Sequence, residues 1–231
     1  MDRTRDSGSR DVGSIPTEGA WYNIKNMFLK VINKIIRTLV LGDVLFFSAF
    51  GLIGPIFAVF VTDQIAGATV ATVGFAATVN LLVRAALQLP IARYIDKHKG
   101  EKDDFFLMVF GSFLISLVPF IYLFVETPVH LYLAQAILGI GGSFANPGWY
   151  AIFTRHIDKE KEGTEWSLEN VSVALAAAGA AAIGGLLAEN FGFQSLFLIV
   201  GILSLIGMII QISLYSTVIE LDHNTSDENS K

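Results

Sequence analysis

The stretch Leu39–Val61 reads LVLGDVLFFSAFGLIGPIFAVFV and contains a single charged residue, Asp43. A helix that crosses the hydrocarbon core of a bilayer needs about 20 consecutive, mostly apolar residues. A helix on the surface of a soluble domain would instead carry polar residues along one whole face. This stretch therefore predicts a transmembrane helix.

Five further segments of the same kind follow along the chain. In order, spans two to six are Val70–Ala92, Phe105–Val125, Val129–Phe153, Val171–Ala188 and Phe193–Ser216. Their apolar runs are continuous, whereas the strands of a membrane β-barrel alternate between apolar and polar residues. Only 16% of the chain is charged and its mean hydropathy is +0.57, while soluble domains carry about 25% charged residues. We predict an all-α, polytopic membrane bundle of six transmembrane helices.

The remaining residues are polar and divide the chain into three parts. Residues 1–22 and 219–231 have the composition of disordered segments, and residues 23–218 form the predicted six-helix domain. The stretch Asn23–Arg37 mixes apolar residues with lysines, which predicts an amphipathic lead-in at the membrane surface. No apolar signal-peptide segment precedes it.

The positive charges predict an orientation in the membrane. Of the 16 Lys and Arg residues, all but Arg84 lie before span one, after spans two and four, or in the tail. The connections on the opposite side contain none. Because Lys and Arg remain on the cytoplasmic side, we expect a multi-pass protein of the plasma (inner) membrane with both termini cytoplasmic.

Several function classes are excluded or disfavoured by composition. The net charge of −5 argues against nucleic-acid binding, and the absence of Cys removes thiolate chemistry and Cys-based metal sites. No phosphate-binding loop of the Gly-x-x-x-x-Gly-Lys-Ser/Thr type occurs, and all four His residues lie outside the spans. We therefore expect no enzyme activity, no metal and no cofactor.

Two charged residues lie inside predicted spans. Asp43 in span one and Arg84 in span two each cost about 2.5–3.5 kcal/mol at a helix centre on insertion scales unless they are paired or hydrated. We predict that they interact, either as a static ion pair between two helices or as part of a transport pathway. In the second case Asp43 is a candidate for proton coupling.

Polar residues also recur at helical spacing in spans two and four. Asn80, Arg84 and Gln88 follow one another every four residues and share one helix face. The candidate substrate or ion pathway comprises Asp43, Asn80, Arg84, Gln88, Gln135 and Asn146. For the amides alone, interhelical hydrogen bonds are the simpler explanation. Spans three and six have no ionisable residues and are expected on the outside, facing lipid.

Span five is dominated by small residues, since 11 of the 18 residues of Val171–Ala188 are Ala or Gly. Small residues allow membrane helices to approach closely. Gly179, Gly184 and Gly185 are therefore predicted helix-packing positions, either within one bundle or against a partner. A helix start at Ser167, as an N-cap, would lengthen this short span.

Three motifs carry a family resemblance. The loop after span two reads ARYIDKHKGEK from Ala92 to Lys102, span four contains QAILGIGG from Gln135, and span five contains GAAAIGG from Gly179. The loop resembles the signature loop of the major facilitator superfamily, with Ala92 in place of its usual Gly and Gly100 one residue late. The stretch in span four resembles a second family motif, with Gln135 in place of Arg. That in span five is similar to the Gly-rich antiporter motif.

The resemblance implies a secondary transporter of a small molecule, most similar to efflux antiporters. It implies that a cytoplasmic gating loop is formed by Ala92, Asp96, Lys97, Gly100, Lys102 and Arg155. The motifs cover the amino-terminal half of a typical twelve-helix member. The two halves of such transporters are parallel repeats, so two copies of this chain could take the place of the two halves. This predicts a homodimer. The alternative is a truncated or non-transporting bundle that assembles with another chain as a complementary half.

Overall fold

The computed structural model describes residues 33–97 and 100–217. Within these ranges the chain is helical and contains no β-strand. The helices are α1 (Lys34–Ile53), a short 3-10 helix (Gly54–Ile56), α2 (Phe57–Gln64), α3 (Val70–Lys97), α4 (Glu101–Tyr122), α5 (Pro128–His156) and α6 (Glu162–Ile212). The predicted disordered termini, most of the amphipathic lead-in and the loop residues 98–99 lie outside the described residues.

The first predicted span is divided rather than unbroken. Asn33 caps α1, because its side-chain oxygen accepts hydrogen bonds from the backbone N–H groups of Ile35 and Ile36. The helix gives way to the 3-10 turn at Gly54, one residue before Pro55. Proline has no N–H and restricts the residue before it, which explains why the α-helix is interrupted here and resumes as α2.

The last two predicted spans appear as one helical segment with a break. Gly192 has φ 76° and ψ 166°, a conformation that glycine adopts without steric cost. Before the break, Ala177 and Ala180 lie beside Gly51 of α1. After it, Gly207 lies beside Gly42, so the chain reverses its direction along α1 at Gly192.

The start of this segment differs from the prediction. The helix begins at Glu162, and the hydroxyl of Ser167 donates to the carbonyl of Gly163 inside the helix. Ser167 is therefore not an N-cap, and that prediction was wrong. The additional turns provide the length that Val171–Ala188 lacked.

Among the described residues, four segments are long and apolar enough to cross a membrane. They are Lys34–Gln64, Val70–Lys97, Glu101–Tyr122 and Glu162–Thr217. The remaining long helix, α5, has 29 residues, but its glycines and the polar side chains of Gln135, Ser143 and Asn146 lower its apolar character. The structure therefore supports a membrane bundle of α-helices.

The most extensive helix contacts are between α1 and α6, followed by α4 with α5 and α3 with α5, and α4 also contacts α6. At one end, Phe60, Tyr122, Phe193 and Phe197 form an aromatic cluster with ring centroids 4.6–6.3 Å apart. At the other end, the Asn33 side chain donates to the carbonyl of His156. This second end, where α1 begins and α5 finishes, is called the α1 end below.

Apolar side chains are exposed on α3 and on the part of α6 before Gly192, and we call these two helix surfaces together the open face. Exposed side chains on it include Phe75, Leu81, Leu82, Leu175, Ile183 and Leu186, each more than half exposed. Spans three and six also present Phe106, Phe113, Ile202 and Ile209 outward, but their other faces are buried in the bundle.

Candidate functional site

A partly open cavity of about 280 Å³ is lined by residues of α1, α3, α4, α5 and α6. We call it the central cavity. Its charged lining residues are Asp43, Arg84 and Glu169, and its aromatic lining residues are Phe46, Phe47, Phe50, Trp149 and Tyr150. Apolar walls with a few convergent polar groups are typical of small-molecule sites.

The side chain of Arg84 extends from α3 into the cavity and packs against Gly142 of α5, where there is no side chain. A Cβ atom at Gly142 would lie 2.8 Å from Nη2 and 2.9 Å from Nε of Arg84. The Arg84 Nε is buried and has no hydrogen-bond partner among the described residues. A guanidinium group presents five donors, and this one keeps hydrogen-bonding capacity that the described chain does not use.

Asp43 is 8% exposed, and it does not pair with Arg84 in the described part of the chain. Its Oδ1 accepts a hydrogen bond of 3.2 Å from Nε2 of Gln211. The Oε1 of Gln211 in turn accepts from the Ser112 hydroxyl at 3.0 Å. The predicted interaction between Asp43 and Arg84 was therefore wrong. The carboxyl group of Asp43 instead accepts a hydrogen bond from the neutral amide of Gln211 on α6, and Arg84 lies against Gly142 of α5.

Glu169 is the third charged residue of the central cavity. It lies on α6, about two turns after the helix begins at Glu162, and it is partly buried. The described residues form ion pairs at Arg155 and Lys161, and none of those pairs includes Asp43, Arg84 or Glu169. The cavity thus contains acidic and basic side chains that form no ion pair with one another among the described residues.

The predicted amides occupy different environments. Asn80 and Asn146 line the central cavity, and Nδ2 of Asn80 also donates to the carbonyl of Gln135 at 3.2 Å. The side chain of Gln135 is instead buried and donates to the hydroxyl of Tyr122 at 2.9 Å. Gln135 therefore ties α5 to α4 and lines neither of the two cavities described here.

A second cavity, of about 760 Å³, lies at the α1 end of the bundle. Four of the predicted residues line it, namely Gln88, Ala92, Asp96 and Arg155. Lys97 and Lys102 are exposed nearby, and Gly100 is the residue from which α4 begins. The structure thus gathers the pathway residue Gln88 with the gating-loop residues rather than with Arg84.

Arg155 forms ion pairs that the sequence analysis did not predict. Its Nε donates to Oε1 of Glu101 at 2.9 Å, and its Nη2 donates to Oδ2 of Asp104. The Asp104 side chain is 0% exposed. These carboxylates were overlooked because the predicted span three began after them, at Phe105, although their position in the first turn of a helix favours acidic residues.

Three further residues of the central cavity network were missed, namely Ser112, Glu169 and Gln211. Ser112 and Gln211 lie in spans expected to face lipid, and Glu169 precedes the predicted start of span five at Val171. Gln211 was the signal in the sequence that could have identified this network, because an amide side chain without a hydrogen-bond partner is costly in hydrocarbon and therefore predicts a polar partner inside the bundle.

The predicted helix-packing glycines separate into two groups. Gly184 is buried directly against the Leu52 carbonyl of α1. Gly179 and Gly185 have no atom within 4 Å of a Cβ position in the described structure. One glycine therefore packs within the bundle, and the other two face away from it.

Comparison with known proteins agrees with the loop resemblance. The sequence profile of the Major Facilitator Superfamily matches residues 39–230. The chain is also 28% identical over 160 residues to a protein of Methanocaldococcus jannaschii that is described as an uncharacterized transporter of the major facilitator type. That match covers 69% of this chain and 40% of the relative, so the chain corresponds to less than half of the length of the relative. The profile extends over most of the helical region described above, and the chain belongs to the major facilitator superfamily.

Proposed function

We propose that the chain is a secondary transporter of a small molecule. The central cavity carries this proposal, because it places Asp43, Arg84 and Glu169 inside a bundle whose helices are apolar enough to cross a membrane. Ionisable residues within a membrane are costly and generally mark substrate or ion pathways. Family membership and the relative from Methanocaldococcus jannaschii support the same function.

We further propose that the chain crosses the membrane six times. The reversal at Gly192 supports this, since an unbroken helix of 51 residues would extend about 77 Å, more than twice the hydrocarbon thickness of about 30 Å. The described Lys and Arg residues other than Arg84 lie towards the α1 end. Under the positive-inside rule, that end faces the cytoplasm of a cell whose plasma (inner) membrane contains the protein.

Transport by alternating access requires a second bundle, and we propose that a second copy of this chain provides it. The open face supports this proposal, because it exposes the faces of α3 and α6 together with the unpacked Gly179 and Gly185. In a homodimer, the two bundles would rock about the central cavities. The resemblance of the loop and of the Gly179 stretch to antiporter motifs favours efflux, with Asp43 as the candidate for proton coupling.

The alternative is a bundle that pairs with a different, complementary half and has no transport activity of its own. The match to 40% of the length of the relative favours this alternative. Mass photometry in lipid nanodiscs separates the two, since the homodimer predicts particles with two copies of the chain. Single copies that pair only after a complementary half is supplied would contradict the homodimer.

Transport itself is tested in proteoliposomes that contain the purified chain. We expect Arg84→Ala to abolish transport, because the guanidinium is the single basic group among the described residues that line the central cavity. Asp43→Asn should change the pH dependence of transport, since it removes a titratable carboxyl group. Arg37→Ala, at an exposed position of α1 that lines neither described cavity, is the matched control. Unchanged transport in both cavity variants would remove these residues from the mechanism.

A further inference from the structure

The ionisable residues of the central cavity lie on three different helices, all well inside the helix ends. Arg84 lies near the middle of α3, roughly 20 Å along the helix from Lys97 at 1.5 Å per residue. Asp43 lies roughly 14 Å from the start of α1, and Glu169 roughly 10 Å from the start of α6. Each residue is therefore about two helical turns or more from the end of its helix.

These groups also enter from different helices. Arg84 lies on α3, which packs on α5, and its guanidinium lies against Gly142, whereas Asp43 and Glu169 lie on α1 and α6, which pack on each other. Asp43 has one neutral hydrogen-bond donor, Gln211. The buried Nε of Arg84 has no hydrogen-bond partner among the described residues, and Glu169, which is partly buried, lines the same cavity. A buried donor without a partner is costly, so the Arg84 guanidinium has the capacity to bind an anionic group of a ligand.

Resting on the proposed transport function, we infer that the central cavity takes a small zwitterion with an apolar, aromatic body. Its anionic group binds Arg84, and its cationic group binds between Asp43 and Glu169. The rings of Phe46, Phe50 and Tyr150 line the space between and contact the body of the ligand. The volume of about 280 Å³ lies just below the range of about 300–1,000 Å³ for ligand pockets, which favours a small molecule.

Three probes of matched shape test the requirement for two charges. They are para-(aminomethyl)benzoate, which is a zwitterion at neutral pH, para-methylbenzylamine, which is a cation, and para-methylbenzoate, which is an anion. Calorimetric titration into the protein in nanodiscs measures binding without requiring transport. Because each ionic group adds a charge-assisted hydrogen bond, we expect the zwitterion to bind about tenfold more tightly than either single ion. Equal or tighter binding of a single ion overturns the inference.

Two charge-removing variants assign each end of the ligand. Arg84→Gln should reduce binding of the zwitterion to the level of the amine. Glu169→Gln should reduce it part of the way to the level of the carboxylate, because Asp43 remains. The controls are Arg37→Gln and Glu189→Gln, which remove the same charges at exposed positions of α1 and α6 that line neither described cavity. Binding of all three probes unchanged in both cavity variants overturns the assignment. Each variant is first shown to elute as a single species of wild-type size.

Binding and transport distinguish this inference from the function on which it rests. Selective binding of the zwitterion without transport in proteoliposomes supports the inference and contradicts the proposed function. Transport of a singly charged probe by a protein that does not bind the zwitterion supports the function and overturns the inference.

Discussion

The position of the Arg84 side chain depends on a single glycine on the neighbouring helix. The guanidinium occupies the space in which a Cβ of residue 142 would lie. The far end of an arginine is flexible, so a methyl group there would displace the guanidinium at little cost in packing. Gly111 provides a contrast, because a Cβ there would clash with the backbone of Ala145 and Gly141.

This contrast gives a prediction about function and stability. Gly142→Ala should reduce transport or zwitterion binding about tenfold while lowering the free energy of unfolding by less than about 1 kcal/mol. Gly111→Ala should lower that free energy by about 1–3 kcal/mol, because the two helix backbones must separate. Denaturation in detergent measures stability and titration measures binding. A Gly142→Ala protein with wild-type affinity would show that Arg84 does not need its observed position.

At the level of helices, Arg155 joins the end of α5 to the start of α4. It pairs with Glu101 and Asp104, and the Asp104 carboxylate is inaccessible to solvent while Arg155 is 39% exposed. Removal of the guanidinium leaves a buried acceptor without its partner, which costs more than loss of an exposed ion pair. The pair therefore stabilises the α4–α5 contact next to the second cavity.

Arg155→Ala should accordingly lower the free energy of unfolding by about 1–3 kcal/mol. Lys102→Ala, which removes an exposed positive charge from the first turn of α4, serves as the control and should change stability by no more than about 0.5 kcal/mol. Thermal denaturation of the detergent-solubilised proteins provides the comparison. Equal effects of the two substitutions would mean that Arg155 contributes only surface charge.

The glycines of span five give a second prediction about helix contacts. Gly184→Ala should destabilise the bundle by about 1–3 kcal/mol, since the new methyl group meets the Leu52 carbonyl of α1. Gly185→Ala meets no atom within 4 Å and should leave the stability of one bundle unchanged. If the open face is the dimer interface, Gly185→Ala should instead weaken dimerisation. Unfolding curves and mass photometry measure the two effects separately.

For the whole molecule, the open face defines which surfaces should meet between copies. The chain has no native Cys, so one protein carrying Leu82→Cys can be mixed with another carrying Ile183→Cys. Oxidation in nanodiscs should form a disulfide between the two proteins. Ile202→Cys, which is 52% exposed on the part of α6 after Gly192, should not react with the Leu82→Cys protein. Equal reaction of both positions would contradict a specific interface on the open face.

Local sequence was sufficient for the helical class, the membrane environment and the family. Hydropathy over about 20 residues reflects the cost of exposing backbone and charge to lipid, so it predicts spans without knowledge of their neighbours. The motif from Ala92 to Lys102 predicted the superfamily, and the profile match confirmed it. The ends of α1 and α6 were less predictable, because Pro55 and Gly192 break helices without adding polarity.

The pairing of polar groups was decided by tertiary structure. Asp43 contacts Gln211, which is 168 residues away along the chain, and Arg84 lies against Gly142 instead of Asp43. A charge in a span shows that a partner or water is needed, but several helices can supply one. Which helix does so depends on how closely the backbones approach, and small residues such as Gly142 and Gly184 set those distances. The sequence by itself thus determined that this chain lies in a membrane with charges in its interior, and the packing of the helices determined which groups those charges face.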